Sequence, residues 1–417
     1  MFILEEHNVI DYLKLNTDLL DGAVNTIPRA FESSKSENGS GDGYVNFVFG
    51  VSFSIEGVNK SLVVKQARPY SKHIPVELPT SRNKLEYEVT RLKRSLTPEY
   101  LPELYFLDYE NHIFIMESFS DWKILRYELN KMQKQKNLSK KIAEFLAVSH
   151  FFTSEIYLDT GLFRKIENTF CNCSMRQIME NGIFIPEFMP FGEAANQNID
   201  LDLYALSRNI WEDKETVAQC YVMRDIYMRK DECLVHGDFH TSNIFIKDEE
   251  MKVIDMEYAF MGPYSYDLGY LFNNYISQFA ACQFKEDREN QKSQDFGEYL
   301  LESMQEIYSN YIEIFDSLWS RCGKETYSYS SEYRREIYTN ILQEMLGFAA
   351  VSNISRITVL TGFPDFDMIK DREKHIHAKR LSLVISQHLL NQRKKYMRIE
   401  DVISSIKKIA KLYLMHT

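Results

Sequence analysis

The stretch that decides the fold is Cys233-Leu-Val-His-Gly-Asp-Phe-His-Thr-Ser-Asn-Ile-Phe-Ile246, followed closely by Val253-Ile-Asp-Met-Glu-Tyr-Ala-Phe260. Asp238 comes just after a short apolar run, Asn243 stands five residues later, and Asp255 ends the next apolar run. Short apolar runs bounded by turn residues are typical of buried strands. We therefore expect these three polar side chains in loops at the ends of strands.

The order of these three residues is informative about chemistry. Enzymatic phosphoryl transfer needs a carboxylate that accepts the proton of the attacking hydroxyl, and oxygen ligands that hold magnesium on the phosphates. In protein kinases a catalytic-loop Asp is followed five residues later by an Asn, and further on by a metal-binding Asp. Asp238, Asn243 and Asp255 repeat this order and spacing. We predict Asp238 as the catalytic base and Asn243 and Asp255 as Mg²⁺ ligands, with ATP as the donor. The alternative is a loop capped by Asp238 and a hairpin that ends at Asp255.

Composition limits the classes of protein that need to be considered. The 417 residues leave room for two or three domains. A hydrophobic content of 44% suffices for a packed core, and a net charge of -11 argues against a nucleic-acid or anionic-membrane partner. It does not argue against ATP, because a local positive site suffices.

Targeting signals and cysteine chemistry are not evident in the sequence. The N-terminus has no basic region before an apolar run, so we expect no signal peptide. We find no apolar run of about 18 residues and expect no membrane span. The six cysteines lack the paired spacing of a zinc site, and we predict reduced thiols in a cytoplasmic protein.

The first part of the chain predicts a small β-rich lobe. Residues 33–43 are polar and glycine-rich, which indicates a loop. Alternating apolar residues in 44–55 and the apolar run 62–65 predict two strands around a turn. Apolar residues spaced by three and four in 80–96 predict an amphipathic helix. Two further strands are predicted at 104–108 and 112–117.

The remainder of the chain is predicted to be mainly helical, apart from a hairpin at 243–254. The predicted helices cover 140–157, 213–228, 264–282, 296–316, 332–359, 372–391 and 399–414. We therefore predict an α+β, bilobal, protein-kinase-like fold. Its N-terminal nucleotide-binding lobe would span residues 1–119, and its C-terminal catalytic and acceptor-binding lobe residues 120–417.

Lys65 is the predicted phosphate-binding lysine. It ends an apolar strand, and the corresponding lysine of kinases contacts the α- and β-phosphates and pairs with a glutamate on the next helix. Glu86 and Glu88 both lie on that predicted helix and, two residues apart, face different directions. We prefer Glu86 as the partner. The alternative for Lys65 is a strand-end lysine exposed to water.

Two further segments are candidates for nucleotide binding. Gly43 lies in a glycine turn whose backbone N–H groups could approach phosphate, with Asn46 as an additional donor. Met116, Glu117 and Ser118 follow a predicted strand where a hinge would offer backbone groups to adenine. The end of an aliphatic strand explains this second segment equally well.

Five segments together carry a family resemblance, and they are distributed along the chain. The segments are Asp42-Gly-Tyr-Val-Asn-Phe-Val-Phe49, Leu62-Val-Val-Lys-Gln-Ala-Arg-Pro-Tyr70, Met116-Glu-Ser-Phe-Ser-Asp-Trp-Lys-Ile-Leu-Arg126, His236-Gly-Asp-Phe-His-Thr241 and Ile254-Asp-Met-Glu-Tyr-Ala-Phe-Met-Gly-Pro263. In these segments the chain resembles the S-methyl-5-thioribose kinase family, a group of kinases with an aminoglycoside-phosphotransferase-like fold.

The resemblance implies a function and a set of roles. Such kinases transfer the ATP γ-phosphate to the anomeric hydroxyl of methylthioribose in methionine salvage. Asp238 would be the catalytic base, Lys65 the phosphate clamp, and Asp255 and Glu257 metal ligands. Two carboxylates two residues apart on an extended strand end point the same way and suit a hard cation. Glu257 could instead cap a turn or pair with a basic side chain.

Two departures from the family pattern bear on the site. Ser242-Asn243 stand where the family reads Gly-Ser, which restores the metal-binding Asn of other kinases. The family also carries two adjacent arginines near the sugar, where this chain has Ser355-Arg356. Arg356 is therefore predicted to contact the acceptor, the alternative being a helix-surface arginine paired with a carboxylate.

Three functions remain open from the sequence. The first is a kinase for methylthioribose or a related 5-modified ribose, with a small sugar and ATP as its partners. The second is an antibiotic phosphotransferase of the aminoglycoside type. The third is a non-catalytic kinase fold that serves as a binding module. A homodimer is compatible with all three.

Overall fold

A computed structural model of the chain describes residues 1–31, 45–70, 77–184, 201–285, 291–358 and 364–416, with side chains omitted for 201–206. Within the chain, contacts separate two compact units. Unit 1 comprises Met1–Leu125, Asn172–Met175 and Ser242–Ala259. Unit 2 comprises Arg126–Cys171, Arg176–Thr241 and Phe260–Thr417. Residues 242–259, expected in the second lobe, thus make most of their contacts with unit 1. The lobe bounds 1–119 and 120–417 stay a prediction.

The strands are short and antiparallel throughout. They are β1 Val24–Phe31, β2 Phe47–Ile55, β3 Val58–Gln66, β4 Leu104–Asp108, β5 Ile113–Glu117, β6 Lys123–Ile124, β7 Cys233–Val235, β8 Ile244–Lys247, β9 Glu250–Val253 and β10 Phe260–Gly262. Strands β1 to β5 form one sheet in the order β1-β2-β3-β5-β4, β6-β8-β9 form a second, and β10 pairs with β7.

Most of the chain outside these strands is helical. The helices are α1 Val9–Asn16, α2 Arg82–Arg94, α3 Leu125–Asn130, α4 Leu138–Phe152, α5 Thr160–Thr169, α6 Cys173–Met179, α7 Leu201–Glu212, α8 Lys214–Arg229, α9 Tyr266–Lys285, α10 Gln291–Cys322, α11 Glu325–Ser328, α12 Ser331–Thr358, α13 Arg372–Gln392 and α14 Ile399–Leu414. The predicted α+β fold with a β-rich first part and a mainly helical second part is confirmed.

Unit 1 is built on the five-stranded sheet, in which successive side chains point to opposite faces. Val64 and Ile115 belong to a buried cluster that includes α1, whereas Val63 and Phe114 belong to a second cluster. The sequence predicted only four strands here. It missed β1, which is the edge strand of the sheet, is largely exposed and contains Pro28. Such a strand lacks the alternation of buried apolar residues on which the prediction relied.

Unit 2 is organised around α9, which is buried along nearly its whole length and packs against α10, α12 and α13. Its approach to α12 is close at Gly269. A Cβ atom at that position would lie 2.6 Å from the carbonyl oxygen of Met345, so only glycine fits without a shift of backbone. In the part of the chain that the structure describes, no helix is long and apolar enough to cross a membrane.

Candidate active site

An ion-pair cluster in unit 1 surrounds Lys65, which lies near the end of β3. Its side chain is buried, and its Nζ atom lies 2.7 Å from Glu86 Oε1 on α2 and also donates to Asp255. Glu88, the other candidate partner, instead accepts from Arg91 and Tyr109 at the surface. Residues two apart on a helix face different directions, which explains this division.

Charge and burial act in opposite directions within this cluster. Burial by itself lowers the pKa of Lys65, but Asp255, Glu86 and Glu257 together raise it above its usual range. Lys65 is therefore held as an ammonium ion. Burial raises the pKa of Glu86 to about 7, against the opposing effect of Lys65. A buried ammonium group is suited to binding phosphate, which would compete with the carboxylates for the Lys65 side chain.

Asp255 lies just beyond the β8–β9 hairpin and has an unusual backbone. Its φ is 71°, in the left-handed region that Asp tolerates better than most residues. The preceding residue, Ile254, donates its N–H to the carbonyl oxygen of Asn243 at 3.1 Å, which closes the hairpin. The Asp255 side chain remains 27% exposed. The hairpin thus brings Asn243 and Asp255 to the same end of its two strands.

Glu257 is held by a different set of partners. Its Oε2 atom lies 3.2 Å from Arg82 Nε and accepts from Asn46 Nδ2 at 3.0 Å. Arg82 also donates to Asn46 Oδ1, so the three side chains form a closed arrangement. Burial, followed by the nearby charge of Asp255, raises the pKa of Glu257 to about 8. The pairing with a basic side chain, left open by the sequence, is present.

Three of the residues predicted from the sequence are candidate ligands for a magnesium ion. Among the described residues, no group of three or more His, Cys, Asp or Glu side chains is arranged as a metal site. The residue types fit nevertheless, because Asn243, Asp255 and Glu257 offer one amide and two carboxylates to a hard cation. The Asp255 carboxylate is 27% exposed and paired with Lys65, whereas Glu257 is buried and engaged by Arg82 and Asn46. Their roles as ligands stay a prediction.

The other predicted nucleotide contacts are placed as follows. Gly43 lies outside the described residues, as does the loop 33–43. Met116 is buried in β5, and Glu117 ends that strand with its N–H donated to the carbonyl of Glu103 at 2.9 Å. Ser118 follows directly. The adenine-binding role of this segment stays a prediction.

In unit 2, the predicted catalytic loop, residues 236–241, follows β7 and is anchored by the buried Asp267 of α9. The Asp267 carboxylate accepts from the backbone N–H groups of His236 at 2.6 Å and Gly237 at 3.0 Å. It also lies 3.2 Å from His150 Nε2. Gly237 has a φ of 85°, which explains the glycine before Asp238. The backbone that carries Asp238 is therefore fixed from inside the helical core.

The Asp238 side chain lies between two basic groups. His240 Nε2 is 3.3 Å from Oδ2, and Arg356 Nη2 is 3.9 Å from Oδ1. The Tyr270 hydroxyl is also bonded to the carboxylate. Burial alone would raise the pKa of Asp238, but His240, Arg356 and Tyr270 together hold it well below its usual range. Asp238 is consequently an ionised, partly exposed carboxylate able to accept a hydrogen bond from a hydroxyl.

Arg356 comes from α12, near its C-terminal end. It is 7% exposed, and its guanidinium lies 4.7 Å from the centroid of the Tyr270 ring. Ser355, its neighbour, is fully buried and donates to the carbonyl of Gly182 at 2.5 Å. Of the alternative, a helix-surface arginine paired with a carboxylate, the surface position is absent but the pairing is present, with Asp238. Contact with an acceptor stays a prediction.

Sequence reasoning did not identify several residues of these two clusters. Arg82 and Asp267 are single charged residues within helices, and no local pattern marks them. Tyr270 follows Asp267 by three residues and so lies on the same side of α9. His240 lies within the quoted catalytic stretch, two residues after Asp238, and this spacing was the one available signal.

The chain is similar to known phosphotransferases. The model of the phosphotransferase enzyme family matches residues 187–301. Methylthioribose kinases of Bacillus cereus (strain G9842) and Bacillus mycoides (strain KBAB4) are each 30% identical over 362 residues, which is 86% of this chain and 88% of theirs. The crystal structure of choline kinase from Cryptosporidium parvum Iowa II is 13% identical with a TM-score of 0.52, covering 94% of this chain and 99% of that one.

The fold and these relatives define the class of protein as an ATP-dependent phosphotransferase. The structural likeness to the choline kinase supports the kinase fold alone. Within that class, the chain belongs to the methylthioribose kinase family, because the identity extends over most of both chains.

Proposed function

We propose that this protein transfers the γ-phosphate of ATP to a hydroxyl of a pentose. The proposed acceptor is the anomeric hydroxyl of 5-methylthioribose or of a related 5-modified ribose. The names of the relatives support a sugar as the acceptor class. The observation that carries the proposal is the position of Asp238 between His240 and Arg356.

Asp238 has the properties that the attacking hydroxyl requires. A carboxylate that stays ionised accepts a hydrogen bond from the sugar hydroxyl and orients its oxygen towards the phosphorus. It then takes the proton as the new P–O bond forms. The anomeric hydroxyl of a sugar is more acidic than an ordinary alcohol, so a weakly basic carboxylate suffices for this transfer.

Arg356 supports an acceptor that becomes negatively charged. A guanidinium close to the base offers donors to sugar oxygens and positive charge where negative charge develops. Ser355 supplies no charge at the neighbouring position, so Arg356 would carry this contact without a second arginine there. This is the feature that leaves other 5-modified riboses as candidate acceptors beside methylthioribose.

The nucleotide would be held by unit 1. Lys65 would bind the α- and β-phosphates, Glu86 would orient Lys65, and Asn46 would add a donor near the phosphates. Asn243, Asp255 and Glu257 would hold Mg²⁺, which neutralises phosphate charge when bound. Met116, Glu117 and Ser118 would contact the adenine.

The test is an ATP-consumption screen of the purified protein against methylthioribose, 5-deoxyribose, ribose and an aminoglycoside, with Asp238→Asn as the blank. The proposal expects turnover of a 5-modified ribose by the parent and none by the variant. Turnover of the aminoglycoside alone would contradict it and favour an antibiotic phosphotransferase. Equal turnover by Asp238→Asn would remove Asp238 from the role of base.

A further inference from the structure

A buried polar network in unit 2 converges on Thr241, three residues after Asp238. Thr241 is fully buried, and two groups bind it from different elements. Arg126 of α3 donates from Nε to its hydroxyl at 3.2 Å. Asn274 of α9 accepts its backbone N–H at 3.0 Å. The end of the catalytic loop is therefore held through both its side chain and its backbone.

Both of these groups contact the same carboxylate. Asp365, fully buried in the turn that follows α12, lies 3.5 Å from Arg126 Nε and accepts from Asn274 Nδ2 at 3.2 Å. Gln278 donates to it at 2.9 Å. Two amide groups thus donate to one buried carboxylate and a guanidinium forms an ion pair with it, and Arg126 and Asn274 also bind Thr241. A buried charge of this kind is tolerated only when it is paired and hydrogen-bonded.

The network does not belong to the chemistry already described. Asp365 is paired with Arg126, Asn274 and Gln278, and it is too deeply buried to meet an acceptor. Arg126 lies in the segment 116–126 that carries part of the family resemblance, yet the proposed reaction gives it no role. Its contacts connect Asp365 to the loop instead.

We infer that Asp365 is a positioning residue for the catalytic loop, acting through Arg126 and Asn274 on Thr241. This inference rests on the proposed role of Asp238 as the base. The loop is anchored at its start by Asp267 and at its end by the network that binds Thr241. Asp238 lies between these two anchors. Small displacements of a reacting group cost up to ~10²-fold in rate, so such an anchor affects turnover.

The variants follow from the donors around the carboxylate. Asp365→Asn keeps the size of the side chain but turns an NH₂ group towards donors, which breaks the bond to Arg126 or Asn274. Thr241→Val removes the hydroxyl that Arg126 binds, and Thr241→Ser retains it. Ser382→Ala is the control, because it removes a buried hydroxyl that accepts from Asn353 at 2.8 Å, in a network that does not reach Thr241.

The first readout does not depend on the acceptor. Hydrogen–deuterium exchange of a peptide spanning 236–246 should rise on the order of 10-fold in Asp365→Asn, because the Thr241 N–H loses a fixed acceptor. The same peptide should exchange at the parent rate in Ser382→Ala. Equal exchange in Asp365→Asn and the control would overturn the inference even if methylthioribose is not the substrate.

The second readout is turnover of ATP with methylthioribose. Asp365→Asn should lower kcat by on the order of 10- to 100-fold and leave the KM for ATP within about 3-fold. Thr241→Val should lower kcat by a smaller factor. The double variant Asp365→Asn/Thr241→Val should be no slower than Asp365→Asn alone, because both changes break the same connection between Asp365 and Thr241. If the kcat of the double variant falls by the product of the two single-variant factors, the two residues act independently and the inference is overturned.

A third comparison covers the case in which Asp365→Asn does not fold. Thr241→Ser should then keep kcat within about 3-fold of the parent, whereas Thr241→Val loses more. Equal kcat values for these two variants would overturn the connection through Arg126. Loss of turnover in Asp238→Asn together with parent-like turnover in Asp365→Asn would leave the proposed function intact and reject only the positioning role.

Discussion

The guanidinium of Arg356 lies over the ring of Tyr270 and donates to that tyrosine's hydroxyl. The hydroxyl is bonded in turn to the carboxylate of Asp238. Tyr270 is therefore a neutral bridge between a fixed positive charge and the proposed base. This arrangement couples the ionisation of the base to a residue on α9 that would not be recognised as part of the site from its side chain alone.

Removing the bridge should change the pH dependence of the reaction. In Tyr270→Phe the pKa of Asp238 should rise, because the hydroxyl that stabilises the carboxylate is lost. The base must be ionised to accept a proton, so a higher pKa moves the acidic limb of the kcat/KM profile to higher pH. At pH 8 the loss should be only about 2- to 10-fold, as for one neutral hydrogen bond. A profile with an unmoved acidic limb would show that Tyr270 does not stabilise the ionised base.

The exchange of Asp238 for asparagine should separate transfer from binding. Asp238→Asn should abolish phosphoryl transfer and leave ATP affinity within a few-fold of the parent, since Lys65 and the metal ligands hold the nucleotide. Rapid-quench kinetics and calorimetric titration with a non-hydrolysable ATP analogue measure the two quantities. A variant that keeps most of its kcat would contradict the proposed base.

The two predicted carboxylate ligands, Asp255 and Glu257, should differ in their effect on magnesium binding. Asp255→Ala should remove magnesium-dependent ATP binding, whereas Glu257→Ala should weaken it less. The reason is that Asp255 matches the metal-binding Asp of protein kinases and keeps a partly exposed side chain. Glu257 is also a structural partner of Arg82 and Asn46. Binding of the ATP analogue at several magnesium concentrations is the measurement, and unchanged magnesium dependence in both variants would place the metal elsewhere.

Arg356 and Ser355 form a matched pair for testing acceptor recognition. Arg356→Ala should lower kcat/KM for methylthioribose by about 10²- to 10³-fold, the range for loss of a donor that acts in the transition state. Ser355→Ala should have little effect, because its hydroxyl is committed to the carbonyl of Gly182. Parallel assays with 5-deoxyribose show whether the 5-substituent matters. Equal effects of both substitutions would contradict a specific role for Arg356.

Restoring the family's second arginine is a poor test here. Ser355 is fully buried, so Ser355→Arg would force a long charged side chain into a packed helix interface. Loss of stability would then obscure any gain of acceptor contact. For this reason the neighbouring pair is compared by truncation.

Lys285, a buried lysine at the end of α9, should make the free energy of unfolding depend on pH. Burial lowers the pKa of Lys285 to about 8, although it donates to Asn130 and Gln278. Between this value and its higher pKa in the unfolded chain, the unfolded state binds more protons, so stability rises with pH. The free energy of unfolding of the parent should therefore increase relative to Lys285→Met from pH 7.5 to 9.5. Urea denaturation at both pH values measures the difference in free energy of unfolding between the parent and Lys285→Met. This difference should stay constant if folding does not lower the pKa of Lys285.

The candidate site residues could be identified from the sequence because the chemistry predicted for them is local. Asp238, Asn243 and Asp255 fall within one short stretch whose order reflects the needs of phosphoryl transfer. The long helices of unit 2 were also predictable, and the last runs from Ile399 to Leu414 as expected. Strong apolar periodicity over many residues explains this agreement.

The parts that sequence did not predict depend on distant packing. The edge strand β1 has no buried apolar residues at alternating positions, so its sequence does not indicate a strand. It is a strand because it pairs with β2. The structural roles of Arg82 and Asp365 depend on partners that are distant in the sequence. A buried charge acquires its partners through the tertiary fold, so no spacing rule could identify either residue.

The hairpin β8–β9 has a consequence for how this chain can be divided experimentally. It belongs to unit 1 although more than a hundred residues separate it from β6, the strand it pairs with. A fragment that ends at Leu125 would leave β6 without its neighbour and Lys65 without Asp255, while keeping Glu86. Truncation at Leu125 cannot therefore isolate a complete unit 1. A separable version would need the hairpin supplied by a designed linker or as a second polypeptide, in the manner of a split enzyme.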